Sequence, residues 1–157
     1  MSQHGEVQLA GSVGYLLKEA AYGLRVALDA VLRPLDLSVT EYSCLELLAQ
    51  RPGLSNSELA RSAFVTRQSM NVVLQAMERD GLIVRPAQAP AGRALPAQLT
   101  ALGQQRRAQA STAARAVEDR MLTGFGPGEI DRLRELLQVC AASVNDERRD
   151  PVSAGRP

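Results

Sequence analysis

The sequence is poor in the residues from which metal centres and catalytic sites are built. Its 157 residues include two cysteines, Cys44 and Cys140, and a single histidine, His4. The cysteines lie far apart and lack the spacing of zinc ligands, so we expect no structural metal and no cofactor. A nucleophile paired with a base and a glycine-rich phosphate loop after a strand are also missing, which argues against an enzyme.

A long apolar run is missing as well. Lys18, Glu19, Arg25 and Asp29 interrupt the apolar residues near the start, unlike the pattern of a signal peptide or a membrane span. We therefore expect a cytoplasmic protein without membrane contact. A chain of 157 residues is long enough for one domain with a sizeable core.

Positive charge is present but concentrated in one segment. The whole chain has a formal net charge of +1, whereas residues 61–93 contain five arginines and two acids, a local balance of +3. The arginines are Arg61, Arg67, Arg79, Arg85 and Arg93, and the acids are Glu78 and Asp80. Such clustering favours contact with nucleic acid, although ordinary solvated surface charge is the alternative.

Long helices are predicted near both ends of the chain. Apolar residues recur every three or four positions from Val13 to Leu32, and Pro34 should end that helix. Thr100 can cap a helix that runs to about Leu122, and a last helix should begin near Pro127. Cys140 falls within the apolar stripe of this last helix, as Cys44 does in an earlier one.

The middle of the chain has the order of a winged helix-turn-helix. Ser38 with Glu41, and Ser55 with Glu58, have the spacing of capping boxes that begin two helices. Thr66 is the predicted N-cap of a third helix. Short strands are predicted at 82–85 and 94–99, and they form a hairpin that would be the wing.

The helix after Thr66 has the composition of a DNA-recognition helix. Helical spacing places Met70, Val73, Leu74 and Met77 inward. The outward residues are of types that pair with bases, and they are Arg67, Gln68, Ser69, Asn71 and Gln75. Arg93 in the hairpin loop is a candidate phosphate or minor-groove contact, with a solvent-exposed loop arginine as the alternative. Ser55 and Thr66 are candidate phosphate contacts in addition to being caps.

Three stretches of the sequence resemble the MarR family of bacterial regulators. They are LSVTEYSCLELLAQRPGLSNSELA, VTRQSMNVVLQAMERDGLIVR and LTALG, in that order. The resemblance implies a dimer joined by its first and last two helices, a recognition helix at 66–80 and a wing arginine at Arg93. The sequence departs from the family pattern at Ala91, where an aspartate usually holds that arginine.

The fold class expected from these observations is mainly α with a small β-hairpin wing, a winged helix-turn-helix flanked by long dimerisation helices. The expected organisation is a flexible N-terminus at 1–10, a helical dimerisation region at 11–35 and 100–145, a DNA-binding region at 36–99, and a disordered tail at 146–157.

The predicted function is sequence-specific binding of double-stranded DNA by a homodimer at a roughly palindromic site, with repression rather than activation. Proteins similar to this one often release DNA when a small aromatic effector binds, and the candidate effector residues are Tyr15, Tyr22, Arg25 and Tyr42. Plain core packing is the alternative for these side chains. A thiol switch at either cysteine is a further alternative, as is a protein-binding antagonist of a related repressor.

Overall fold

The computed structural model describes residues 8–86 and 96–146. The described part contains six α-helices, two short strands and two turns of 3-10 helix. The helices and strands are α1 (Val13–Leu32), α2 (Val39–Gln50), α3 (Asn56–Ser62), α4 (Arg67–Arg79), β1 (Ile83–Val84), β2 (Gln98–Leu99), α5 (Ala101–Met121) and α6 (Pro127–Asp146). The predicted fold class, mainly α with a two-stranded antiparallel sheet, is confirmed.

Both predicted capping boxes are present. The amide of Glu41 donates to Ser38 Oγ at 3.1 Å, while the amide of Ser38 donates to Glu41 Oε2 at 2.7 Å. Ser55 and Glu58 repeat the arrangement at 3.3 Å and 2.7 Å. The bond from the Ser55 amide also lowers the pKa of Glu58. Each box satisfies two amides that would otherwise lack partners at a helix start.

The strands are shorter than the sequence predicted. Ile83 pairs with Leu99 and Val84 with Gln98. Beyond these pairs the Leu82 carbonyl accepts from the Thr100 amide at 3.1 Å, but the Leu82 amide donates to the Met77 carbonyl at 2.9 Å and so belongs to the turn that ends α4. The predicted strand residues 94 and 95 lie outside the described part of the chain.

Two 3-10 turns were not predicted. One is Leu9–Gly11, which overlaps the end of the segment expected to be flexible. The other is Arg33–Leu35, where Pro34 lies inside the turn after α1 ends at Leu32. Proline has no amide hydrogen, but the first positions of a helical turn need none, so the chain continues for one more turn.

Two compact units make up the chain, Met1–Glu118 and Asp119–Pro157. The first has a core of apolar side chains from α1 to α5 and from the strands. Its fully buried large side chains are Leu32, Cys44, Leu45, Leu59, Met70, Leu74, Met77 and Ile83. Because this core takes one face of α4, the opposite face of that helix is left to solvent.

The second unit contains α6, which has an apolar stripe but no buried residue among those described. Leu136, Leu137, Val139 and Val144 are exposed. Cys140 lies in the same stripe and is exposed too, in contrast to Cys44. No helix in the described ranges has the length and apolar character needed to cross a membrane.

Three helical segments of the first unit end with a residue in the left-handed conformation. These residues are Asp36 (φ 54°), Phe64 (φ 58°) and Gly81 (φ 73°). In each case the next amide donates to the carbonyl five positions earlier, at 3.3, 3.0 and 2.9 Å respectively. This closure favours glycine and tolerates aspartate, whereas a bulky residue pays about 1 kcal/mol of steric cost. Phe64 is therefore unusual at its position.

Candidate DNA-contacting surface

Helix α4 begins at a well-defined cap. The amide of Ser69 donates to Thr66 Oγ1 at 3.0 Å, and the Thr66 hydroxyl donates to Ser69 Oγ at 2.9 Å. Both side chains are exposed. The geometry supports the capping role of Thr66 and leaves both hydroxyl oxygens accessible to a ligand at this helix end.

The division of α4 into two faces agrees with the sequence prediction. Met70, Leu74 and Met77 are fully buried, and Val73 is half-buried. The residues predicted to face outward are exposed, namely Arg67, Gln68, Ser69, Asn71 and Gln75. Burial of one face fixes the rotation of the helix, so these side chains point into solvent together.

The line of α4 most distant from the core runs through Gln68, Val72, Gln75 and Arg79, since successive residues are about 100° apart around the axis. Val72 is 63% exposed although it is apolar. The sequence prediction omitted Val72, yet counting positions around the helix would have found it. A valine here can contact the methyl group of thymine, which is an apolar feature of the major groove.

Asn71 does not stand alone on this surface. Asn56, the first residue of α3, donates from Nδ2 to Asn71 Oδ1 at 2.8 Å. Asn56 was not predicted, because the two residues are 15 positions apart and neither pattern nor spacing relates them. The bond orients the amide plane of Asn71, whose own Nδ2 has no hydrogen-bond partner among the described residues and can donate.

The positive charge is less concentrated than the sequence suggested. Arg85 Nη2 lies 2.8 Å from Glu78 Oε2, and Arg79 Nε lies 3.5 Å from Asp80 Oδ1. Arg61 and Arg67 form no ion pair within residues 8–86 and 96–146. The excess charge therefore lies at the N-terminal end of α4 rather than evenly along the cluster.

The remaining predicted contacts are Ser55 and Arg93. Ser55 is exposed, and its side chain is engaged in the capping box of α3. Arg93 lies outside the described residues, as does Ala91, so its role in the wing stays a prediction.

The base of the wing is held against the start of α5. The Thr100 hydroxyl donates to the Gly81 carbonyl at 2.6 Å, and its oxygen accepts from the Gly103 amide at 3.0 Å. A Cβ atom on Gly103 would overlap the carbonyl oxygen of Leu82. Gly103 is thus needed for α5 to approach the turn after the recognition helix.

The four predicted effector residues lie on two helices of the described chain. Tyr15, Tyr22 and Arg25 are exposed on α1, and Tyr42 is half-buried on α2. Burial raises the pKa of Tyr42, which lies beside Ser111 of α5. No hydrogen bond among the described residues joins Tyr42 to the other three, so their shared role stays a prediction.

A polar cluster next to Tyr42 joins α2 to α5. Glu46 Oε1 accepts from the Ser111 hydroxyl, and Glu46 Oε2 lies 3.4 Å from Arg107 Nη1. Gln50 donates to Glu46 Oε2 at 2.8 Å. Burial works to raise the pKa of Glu46, but these hydrogen bonds and the guanidinium lower it below its ordinary value. The carboxylate is therefore held in its charged form.

A separate cleft of about 310 Å³ opens between the turn after α1 and the start of α5. Its walls are Leu35, Asp36, Leu37, Asp80, Leu82, Leu102 and Arg106. Arg106 Nη1 donates to the Leu35 carbonyl at 2.9 Å, which ties α5 to that turn. None of the four predicted effector residues lines this cleft.

The two cysteines have opposite environments. Cys44 is fully buried, and its Sγ lies 3.5 Å from Met70 Sδ behind the recognition helix. Burial, with a smaller contribution from Glu41, raises the pKa of Cys44 to about 12. A thiol with such a pKa is unreactive at neutral pH, which argues against a redox switch there. Cys140 is exposed on α6.

Comparison with known proteins identifies the family of this chain. The MarR family model matches residues 35–94. The HTH-type transcriptional repressor Rv2887 of Mycobacterium tuberculosis is 46% identical over 126 residues, which are 80% of this chain and 91% of that protein.

Solved structures of Rv2887 are similar to this chain as well. A structure of Rv2887 in complex with DNA is 38% identical, with a TM-score of 0.69 over 83% of this chain and 98% of that one. A structure of the same protein with salicylic acid is 40% identical, with a TM-score of 0.69 over 83% and 96%. The chain therefore belongs to the MarR family and is a winged helix-turn-helix transcriptional regulator.

Proposed function

We propose that this chain is a homodimeric repressor that inserts α4 into the major groove of a roughly palindromic DNA site in the cytoplasm. The observation that carries the proposal is the exposed polar surface of α4, whose opposite face is fully buried in the core. The related protein Rv2887 is named a repressor and has been crystallised with DNA, which supports the same role here. A two-fold dimer would present two equivalent helices to successive grooves.

Each of the predicted contact residues has a proposed part. Gln68, Asn71 and Gln75 are of the types that hydrogen-bond to adenine, and Arg67 can pair with guanine. Ser55, Thr66 and Ser69 lie at helix starts, where exposed hydroxyls and amides suit a phosphate. Arg93 is the proposed wing contact.

A small aromatic effector is the second part of the proposal. Salicylic acid is bound in a structure of Rv2887, and a similar aromatic carboxylate would be a reasonable first probe for this chain. The candidate contacts are Tyr15, Tyr22, Arg25 and Tyr42. Binding between the dimer helices and the DNA-binding region would change the spacing of the two recognition helices and release the DNA.

The test is a titration by fluorescence anisotropy. The chain is titrated with DNA from upstream of its own gene and with scrambled DNA of equal length, at two salt concentrations, and salicylic acid is then added to the complex. We expect a preference for the upstream DNA that survives added salt, since base contacts do not depend on counterion release. Release by salicylic acid would support the effector proposal.

The alternative is an antagonist that binds a related repressor instead of DNA. An acidic or apolar outer face on α4 would favour it, and the observed face is rich in amides, with Arg67 at its start forming no ion pair with any described residue. Failure to bind any DNA, together with complex formation with another MarR-type protein, would establish the alternative.

A further inference from the structure

Phe64 is the most exposed large apolar residue described in the chain. Its exposure is 93%, and it lies in the turn between α3 and α4. Its φ of 58° lies in the left-handed region that L side chains rarely adopt. The residue is therefore unfavourable on two counts, since the backbone conformation favours glycine and the ring packs against little of the chain.

Comparable helix ends in the same unit show what folding alone requires. Gly81 closes α4 with the same hydrogen bond, and Asp36 closes the turn after α1. Both are residue types that tolerate the conformation. The apolar contact that usually accompanies this closure is made by Val65, which packs against the core. The ring of Phe64 has no part in the closure.

Phe64 lies next to the N-terminal end of α4. It lies two residues before the Thr66 cap and three before Arg67, the first residue of α4. This is the end from which a recognition helix contacts base edges. The Val65 amide is held by the Ala60 carbonyl at 3.0 Å, so the ring extends from a fixed backbone.

We propose that Phe64 is a DNA contact whose ring packs against the 5-methyl group of a thymine at the edge of the major groove. Thymine carries the apolar group of that groove, and phenylalanine is among the side chains that contact it. Burial of an exposed ring against DNA offsets the cost that the residue imposes on the free protein. The inference rests on DNA binding through α4, as proposed above.

The experiment compares two duplexes of the upstream sequence, one with thymine and one with deoxyuridine, which lacks the methyl group. Affinities of the full chain are measured for wild type, Phe64→Ala and Phe64→Leu. We expect Phe64→Ala to bind the thymine duplex about tenfold more weakly, in line with the loss of a buried aromatic side chain. The same variant should bind the deoxyuridine duplex almost as wild type does, and Phe64→Leu should be intermediate.

The other phenylalanine of the chain provides a matched control. Phe125, in the segment between α5 and α6, is 49% exposed. Phe125→Ala should discriminate between the two duplexes as wild type does. Circular dichroism establishes that each variant is folded before its affinity is interpreted.

Three outcomes would overturn the inference in different ways. Wild-type affinity of Phe64→Ala for both duplexes would show that the ring makes no contact, while DNA binding through α4 would stand. Equal weakening on both duplexes would show a contact with sugar or phosphate in place of the methyl group. Absence of DNA binding by wild type itself would refute the proposed function and this contact with it.

Discussion

The side-chain amide of Asn56 donates to the side-chain oxygen of Asn71 at 2.8 Å and so joins the start of α3 to the exposed face of α4. Asn71 can form a bidentate pair with adenine only if its amide lies in the plane of the base. The contact with Asn56 holds that plane before DNA arrives, which reduces the side-chain entropy lost on binding.

Asn71→Ala should weaken binding to the preferred DNA by about 1–3 kcal/mol and relax base preference at one position. Asn56→Ala should cause a smaller loss of the same kind, because Asn56 acts through Asn71. The measurement is anisotropy against a set of single-base variants of the upstream DNA.

The double variant separates positioning from direct contact. If Asn56 only orients Asn71, the double variant should bind like Asn71→Ala alone. Gln68→Ala combined with Asn56→Ala serves as the control, and its two losses should add. Additive losses in the Asn56 and Asn71 pair would mean that Asn56 contacts DNA independently.

Gly103→Ala should destabilise the protein strongly, because the new methyl group would overlap the Leu82 carbonyl oxygen. Backbone on both sides of the contact cannot move freely, and we expect a loss of about 3 kcal/mol in the free energy of unfolding. Gly23→Ala is the matched control, since no atom lies within 4 Å of the added methyl there. That helical substitution should raise stability by about 0.5–1 kcal/mol. Urea unfolding measures both, and similar stabilities would refute the close approach.

Phe64→Gly should be more stable than Phe64→Ala by about 1 kcal/mol, because only alanine retains a Cβ in the left-handed conformation. Thermal unfolding of the two variants measures the difference. Gly81→Ala provides the reverse test at φ 73° and should lose a similar amount. A Phe64→Gly variant no more stable than Phe64→Ala would contradict the observed backbone conformation.

The sequence predicted the elements that are specified by local chemistry. Ser38 and Ser55 cap helices at the positions that their spacing to Glu41 and Glu58 predicts, and Thr66 caps α4 as its residue type predicts. The inward face of α4 was also predictable, since burial of Met70 and Leu74 follows from a helical period.

Other features depend on contacts between distant residues or run against local preference. The Asn56 contact with Asn71 and the approach of Gly103 to Leu82 join separate elements, so no local pattern contains them. The left-handed conformation of Phe64 contradicts the preference of its residue type. Local chemistry predicts a left-handed conformation where glycine follows a helix, so a phenylalanine at that position gives no signal for it.

Stability should depend on pH through Glu46. Its pKa is lowered in the folded protein by Ser111, Gln50 and Arg107, which outweigh burial. A group with a lowered folded pKa stabilises fully above its unfolded value, near 4.3 for glutamate, and loses this contribution as pH falls further. Glu46→Gln should lose about 1–2 kcal/mol at pH 7.

The check is urea unfolding at pH 7, 5, 4 and 3 at one protein concentration. Wild type should lose its advantage over Glu46→Gln as the pH falls below the ordinary glutamate range. Glu118→Gln serves as the control, because Glu118 is exposed on α5 and forms no ion pair with any described residue. A constant difference between wild type and Glu46→Gln at every pH would show that the carboxylate charge contributes nothing.

The two cysteines should react very differently with a thiol reagent at pH 8. Cys140 is exposed on the stripe of α6 that the proposed dimer would cover, so it should react as the dimer dissociates, whereas Cys44 is buried within the chain with a pKa of about 12 and should react only after unfolding. The measurement is the absorbance of the thiolate that a disulfide reagent releases on reaction with a protein thiol, before and after addition of denaturant. Cys140→Ser identifies the fast thiol. Rapid reaction of two thiols in the native protein would refute the burial of Cys44.

The exposed apolar stripe of α6 has a consequence for dosage. In the proposed dimer, Leu136, Leu137, Val139 and Val144 gain their burial from a second copy, so assembly contributes to the stability of this helix. When the protein concentration lies below the dissociation constant of the dimer, the amount of dimer rises with the square of that concentration. Repression would then respond steeply to small changes in expression, and a cell that halved its supply of this protein would lose roughly three quarters of its active repressor.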